Sequence, residues 1–267
     1  MKGLSARMKA RPDTRQSKAE FFRNLFSQAA LRRAPPAIVF WMAEPETVRL
    51  MMESKVRSRE ALTKLTSGVI RFQSEIFPTH REAFEELQHG QEPLALFITC
   101  ADSRVVPNLF TQTGPGELFI ERNPGALVPG YGEFIGGVSA SVEFAMLALE
   151  VPLVIVCAHT DCGVMKGLLN PQKAEGLPAV QQWMRHAMEA RQRLLRDDAV
   201  ASEKEKLRRL TEYSVLEQIE NLKTHPSVAA RIAKGEVEIR GWVYDIGKGV
   251  VRQADPRSSE FLVLSAE

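Results

Sequence analysis

Pro152-Leu-Val-Ile-Val-Cys-Ala158, running straight into His159-Thr-Asp-Cys162, decides the fold of this 267-residue chain. The first stretch is almost wholly apolar, so it reads as a strand buried on both faces, the habit of parallel sheets. Gly136-Gly-Val-Ser-Ala-Ser-Val-Glu-Phe-Ala-Met-Leu-Ala-Leu149 before it reads as a helix. Leu94-Ala-Leu-Phe-Ile-Thr99 and Glu117-Leu-Phe-Ile-Glu121, earlier still, read as two more strands. Strand, helix, strand in this order implies an α/β fold with a parallel sheet. Val237-Glu-Ile-Arg-Gly-Trp-Val-Tyr-Asp-Ile246 reads as a further strand, turned by Gly247-Lys-Gly249 into a short return strand, Val250-Val-Arg252. Helical spacing covers Glu60 to Leu87, with a break expected at Pro78, and then Pro178 to Leu195 and Ala201 to Leu222.

The polar residues of interest fall where strands end. Cys100-Ala-Asp102-Ser-Arg104 closes the first strand, and His159 stands 55 positions after Arg104. In open parallel sheets the carboxyl edge is where sites form, so the fold brings both clusters to one rim. Cys100, His159 and Cys162 offer two thiolates and an imidazole, a set that suits zinc and leaves a fourth tetrahedral position open. A water there would be acidified to a hydroxide nucleophile near neutral pH. Asp102 is placed to accept a hydrogen bond from it, and Arg104 to fix the Asp102 carboxylate by a bidentate pair. The competing reading of the same residues is a redox or nucleophilic cysteine. Cys157 lies inside a strand and reads as a small core residue. His80, His89, His186 and His225 belong to no such set.

Composition narrows the classes. A net charge of +2 does not mark the chain as a nucleic-acid binder. Residues 1–33 are the exception, with nine Lys or Arg against two Asp or Glu. No apolar run approaches the roughly 18–20 residues of a membrane helix; Ala37-Ile-Val-Phe-Trp-Met-Ala43 is the longest candidate. Three cysteines in so long a chain speak for a reducing, cytoplasmic setting rather than a disulfide scaffold. Met1 to Arg33 lacks the apolar block of a secretory signal, and its Arg-rich, acid-poor character leaves an organellar transit peptide as the lesser alternative. We divide the chain into a basic extension, residues 1–60, partly disordered or helical, and a main domain, residues 61–267.

The motifs Cys100-Ala-Asp-Ser-Arg104 and His159-Thr-Asp-Cys162 resemble those of the β-class carbonic anhydrases. Gln91-Glu-Pro93, Arg122-Asn-Pro-Gly125 and Gly241-Trp-Val-Tyr-Asp-Ile246 extend the likeness over Leu65 to Val251, and the bacterial and carboxysome-associated members are the most similar. The resemblance implies one zinc per subunit on Cys100, His159 and Cys162, an Asp102–Arg104 catalytic dyad, and reversible hydration of CO2 to bicarbonate. It implies that Gln91 donates to a substrate oxygen, that the Gly163 N–H steadies developing negative charge, and that Phe119 lines an apolar CO2 pocket. It further implies four parallel strands plus an edge strand, flanked by helices, in a homodimer or higher even oligomer whose N-terminal helices clasp the partner. Carboxysome partners and a carboxysomal location belong to the same expectation. This chain departs from the family pattern at Phe97, Phe144, Ala158 and Ala126, the last suggesting a rearranged turn. Two other functions stay open at this point: hydrolysis of carbonyl sulfide or carbon disulfide, and a non-catalytic, zinc-stabilised scaffold.

Overall fold

The structure is a computed structural model that describes residues 45–198 and 202–265. The basic run of residues 1–33 and the apolar run Ala37–Ala43 lie outside the described residues.

The chain separates into two compact units, one ending at Phe84 and the other spanning Glu85–Glu267. The first unit holds helix α1, Pro45–Arg71. Proline at its first position loses nothing, because that N–H has no partner within a helix anyway. The expected break at Pro78 takes a milder form. A π-helical turn, Phe72–Ile76, leads into a 3-10 turn, Phe77–His80, and then into α2, Arg81–Leu87. Pro78 sits in the first turn of the 3-10 segment, so the helical path bends without being cut. Phe72, Phe77 and Phe84 pack edge and face on one another there.

The second unit is built on a six-stranded sheet. Its strands are β1, Ala95–Cys100; β2, Leu118–Asn123; β3, Leu153–His159; β4, Glu238–Asp245; β5, Val250–Ala254; and β6, Phe261–Val263. Their order is β2-β1-β3-β4-β5-β6. The first four are parallel, and β5 and β6 are antiparallel additions. The four parallel strands and the return strand agree with the sequence reading; β6 extends the edge by one strand that the reading lacks.

Helices between the strands are α3, Pro107–Thr111; α4, Gly137–Leu147; α5, Gly163–Leu169; α6, Pro178–Trp183; α7, Met188–Leu195; α8, Glu203–Lys223; and α9, Pro226–Ala233. The helical spacing over Pro178–Leu195 is realised as two helices, joined by a 3-10 turn, Met184–Ala187.

Alternation along the strands distributes the core. Leu96, Ile98, Val154, Val156 and Ala158 point to one side, where Val142 and Met146 of α4 and Val215 and Leu222 of α8 meet them. Phe97, Ile155 and Cys157 point to the other, against Phe110, Trp242 and Tyr244. Helix α8 crosses β4 so closely that a Cβ at Gly241 would lie 2.6 Å from Val215 Cγ1. Glycine there is a packing requirement, and it sets how near α8 lies to the strand beside β3.

Candidate active site

Register brings the two polar clusters together. Thr99 of β1 pairs with Cys157 of β3, so Cys100, the last residue of β1, stands level with Ala158, and His159 ends β3 one step further on. Thr99 Oγ1 donates 2.8 Å to the Cys157 carbonyl and locks this register inside the sheet. After β3 the chain bends. Thr160 N–H donates to the Tyr244 carbonyl, and Thr160 Oγ1 accepts from Ile246 N–H, which pins the bend to the end of β4. Cys162 then stands at the N-cap of α5.

The result is a compact donor set. One ligand atom each from Cys100, His159 and Cys162 lies within 4.8 Å of the others, and all three residues are buried. His159 Nδ1 is 2.8 Å from the Thr160 carbonyl. A carbonyl only accepts, so Nδ1 carries the proton and Nε2 of the neutral ring keeps its lone pair. That Nε2 is buried and has no hydrogen-bond partner among the described residues. A buried imidazole nitrogen facing two sulfurs with nothing to bond is what a soft-to-borderline metal ion satisfies. The residues present therefore fit zinc. Cys157 is also buried, but it lies outside the set, and burial pushes its thiol up to about 12.

The two site thiols share one charge. A hydrogen bond from the Cys162 thiol, against the cost of burial, holds Cys100 down, and Gly125 N–H donates to Cys100 Sγ at 3.3 Å. The same Cys162–Cys100 bond, with burial, pushes Cys162 well up. Local donors already favour thiolate at one of the two positions.

Asp102 and Arg104 form the pair expected of them. Arg104 Nε donates to Asp102 Oδ1 at 2.9 Å and Nη2 to Oδ2 at 2.7 Å, a bidentate fork. Arg104 N–H adds a third bond to Oδ1 at 3.0 Å. Arg104 beside it holds the Asp102 carboxyl well below the usual carboxylate range. Asp102 Oδ2 lies 3.8 Å from His159 Nε2, so the carboxylate borders the donor set.

Two residues outside the sequence-predicted set hold this arrangement. Arg122 donates to the carbonyls of Cys100, Asp102 and Val105, and so shapes the loop that carries both Cys100 and Asp102. Asp161 accepts from Arg104 Nη1 at 3.2 Å. Both lie inside motifs read from the sequence; their partners are carbonyls and side chains distant in sequence, which spacing does not reveal.

The turn at Asn123–Ala126 places two successive residues in the left-handed region. Gly125 has φ 86° and Ala126 φ 57°, so an alanine occupies the left-handed region. Asn123 Oδ1 accepts from Leu127 N–H at 2.7 Å, and Trp183 Nε1 donates to the Pro124 carbonyl at 2.8 Å. These contacts hold the turn and aim Gly125 N–H at Cys100.

Beside the donor set lies a cavity of about 390 Å³, lined by Cys100, Asp102, Cys162, Gly163 and the apolar groups of Pro124, Val164, Leu177, Val180 and Met184. Gly163 is thus on the cavity lining beside the donor set. Gln91 is exposed, and Phe119 packs on Phe144 with ring centroids 5.8 Å apart. Neither lines this cavity.

Known proteins are similar to this chain in sequence and in fold. A family model for carbonic anhydrase matches residues 95–251. The carbonic anhydrase of Synechococcus elongatus is 45% identical over 74% of this chain and 74% of its own length. That of Pseudomonas aeruginosa is 44% identical over 75% of this chain and 91% of its own. Among solved structures, the β-carbonic anhydrase CcaA superposes with a TM-score of 0.74 at 38% identity, covering 76% of this chain and 100% of the other. The Coccomyxa β-carbonic anhydrase in complex with acetazolamide gives 0.64 at 28% identity, over 72% and 85%. The chain belongs to the carbonic anhydrase family, in its β class. It is an enzyme of that kind, and its reaction is the hydration of carbon dioxide.

Proposed function

We propose that Cys100, His159 and Cys162 hold one zinc ion per subunit, and that Asp102 and Arg104 serve the hydration of CO2 beside it. The observation that carries this reading is the buried His159 Nε2, without a hydrogen-bond partner by geometry among the described residues and within reach of two thiols. Bound zinc supplies Lewis acidity, which lets a water lose its proton near neutral pH.

The chain's own groups do the rest. Asp102, kept ionised by Arg104, is an acceptor only. It takes a hydrogen bond from the attacking oxygen and turns that oxygen's lone pair away from itself, toward the substrate. Arg104 keeps both Asp102 oxygens fixed through two side-chain bonds. Gly163 N–H, on the cavity wall, donates to the negative charge that develops on the substrate oxygens.

Gln91 and Phe119 complete the site as substrate contacts only with a second subunit, since one chain leaves them outside the cavity. An even-numbered oligomer supplies that subunit. Helix α1 exposes Leu50, Met51, Met52, Val56, Leu62, Leu65, Val69 and Ile70, an apolar load that a lone chain leaves in water. The β-carbonic anhydrases of Sordaria macrospora are tetrameric, and this chain superposes on one with a TM-score of 0.60 at 26% identity. We propose a reducing cytoplasmic setting, which three free thiols support; a carboxysomal location rests on the resemblance alone.

Stopped-flow assays with CO2, carbonyl sulfide and carbon disulfide test the substrate. The expected result is turnover of CO2 with the sulfur analogues at least a hundredfold slower. Faster turnover of an analogue overturns it. Sedimentation of the full chain tests the assembly: a dimer or tetramer is expected, and a monomer at micromolar concentration contradicts the partner contribution.

A further inference from the structure

Arg104 is held from two sides. Its Nε and one Nη2 bond go to Asp102, while Nη1 reaches Asp161 Oδ2 at 3.2 Å and Nη2 lies 3.5 Å from the Asp161 carbonyl. Asp161 and Arg104 are 57 positions apart, one in the bend after β3 and the other in the loop after β1. The other carboxylate oxygen of Asp161 pairs with Lys166 Nζ of α5. The charges therefore alternate along one line: Asp102, Arg104, Asp161, Lys166.

The backbone is shaped for this contact. Asp161 has φ 65°, a left-handed conformation that strains most L-residues and that Asp and Asn tolerate best. The bend turns both the carbonyl and the carboxylate of Asp161 toward the same guanidinium. Without it, Arg104 is a long side chain, 45% exposed, fixed by one carboxylate alone.

We infer that Asp161 is a positioning residue for CO2 hydration: it anchors the Arg104 guanidinium at its Nη1 end, next to the edge that holds Asp102, and so fixes where the Asp102 carboxylate sits relative to the attacking oxygen. This rests on the roles given above to Asp102 and Arg104. Asp161, Arg104 and Lys166 are all partly exposed, and exposed ion pairs contribute little to stability. The effect therefore shows in catalysis and in the order of Arg104, with little change in melting temperature.

The test is a double-mutant cycle on the full-length, zinc-loaded protein. Asp161→Asn keeps the shape and tolerates the left-handed bend; Asp161→Gly is the second variant, equally at ease there. Each is expected to lower kcat by roughly fivefold to twentyfold with KM nearly unchanged, since sub-ångström misplacement acts on the reacting geometry. In an Arg104→Ala background the same substitutions change kcat by less than about twofold, because the residue through which Asp161 acts is gone. The second readout does not use activity. In protein labelled at arginine Nε, the Arg104 Hε proton exchanges faster with water in Asp161→Asn than in the wild type, with or without zinc. Equal loss of kcat in both backgrounds, no loss at all, or unchanged Hε exchange overturns the inference. Wild-type kcat in Arg104→Ala alone overturns the reading of the dyad itself, and the role of Asp161 with it.

Discussion

The Nδ1 atom of His159 lies 2.8 Å from the carbonyl oxygen of Thr160, and the opposite ring nitrogen is left buried and unbonded among the described residues. This one contact fixes the tautomer and aims a lone pair at Cys100 and Cys162. Metal-ligating histidines characteristically donate their other N–H to a carbonyl or carboxylate. The bend that presents the Thr160 carbonyl is itself held by β4, so the sheet sets the ring.

His159→Ala and Cys162→Ser are therefore expected to lose zinc, falling below about a tenth of an equivalent by elemental analysis, and to lose activity with it. Cys157→Ala keeps full zinc, because that thiol is buried in the sheet outside the donor set. Zinc retained in His159→Ala contradicts the assignment.

Asp102→Ala separates metal binding from chemistry. It removes the acceptor that orients the attacking oxygen and leaves the three donors in place. The expected fall in kcat/KM is about 10²-fold or more with zinc content unchanged, read by stopped flow beside elemental analysis. Hydration at the wild-type rate contradicts the role given to Asp102.

Gly125→Ala tests the turn behind the site. At φ 86° an alanine is strained, and its Cβ would lie 2.9 Å from Val164 Cγ1, a stiff β-branched neighbour. The two effects together are expected to destabilise the fold by about 2–4 kcal/mol and to draw the Gly125 N–H away from Cys100. Denaturant unfolding measures the first, and a weaker zinc affinity by chelator competition reports the second.

Glu217 gives the fold a pH dependence remote from the site. Burial pushes its carboxyl up to about 7, with repulsion from Glu189 and Glu133 adding to the effect and the N–H groups of Ala190 and Glu189 opposing it. The folded state binds this proton more tightly than the unfolded state does. The stabilisation is complete below the ordinary value of 4.5 and is lost as pH rises through about 7. Glu217→Gln, which keeps an acceptor for Ala190, is expected to melt a few degrees above the wild type at pH 8, the gap closing or reversing by pH 5. A gap that is constant with pH contradicts this.

How far the sequence carries depends on which contacts decide each part. β1 and β3 are legible because strands buried on both faces are continuous apolar runs, and their ends place Cys100 and His159 without further information. β6 is three residues long, and its pairing with β5 rather than its own pattern makes it a strand. Pro78 reads as a break because a proline removes a donor, yet a 3-10 turn needs no donor at that position. Asp161 lies within the motif that supplies His159 and Cys162, but its partner is Arg104 in another loop, and only the β1–β3 register brings them together. Gln91 and Phe119 are marked by resemblance alone; neither lines the cavity of the single chain, and their place in the site rests on the second subunit we propose.

The most direct test is X-ray absorption at the zinc edge on the purified full-length enzyme near pH 8, with elemental analysis of the same sample. The expected result is one zinc per chain with two sulfurs at about 2.3 Å, one imidazole nitrogen at about 2.0–2.1 Å and one further light ligand. A chain without zinc, or a zinc whose shell lacks two sulfurs and an imidazole, would contradict the placement of the metal on Cys100, His159 and Cys162.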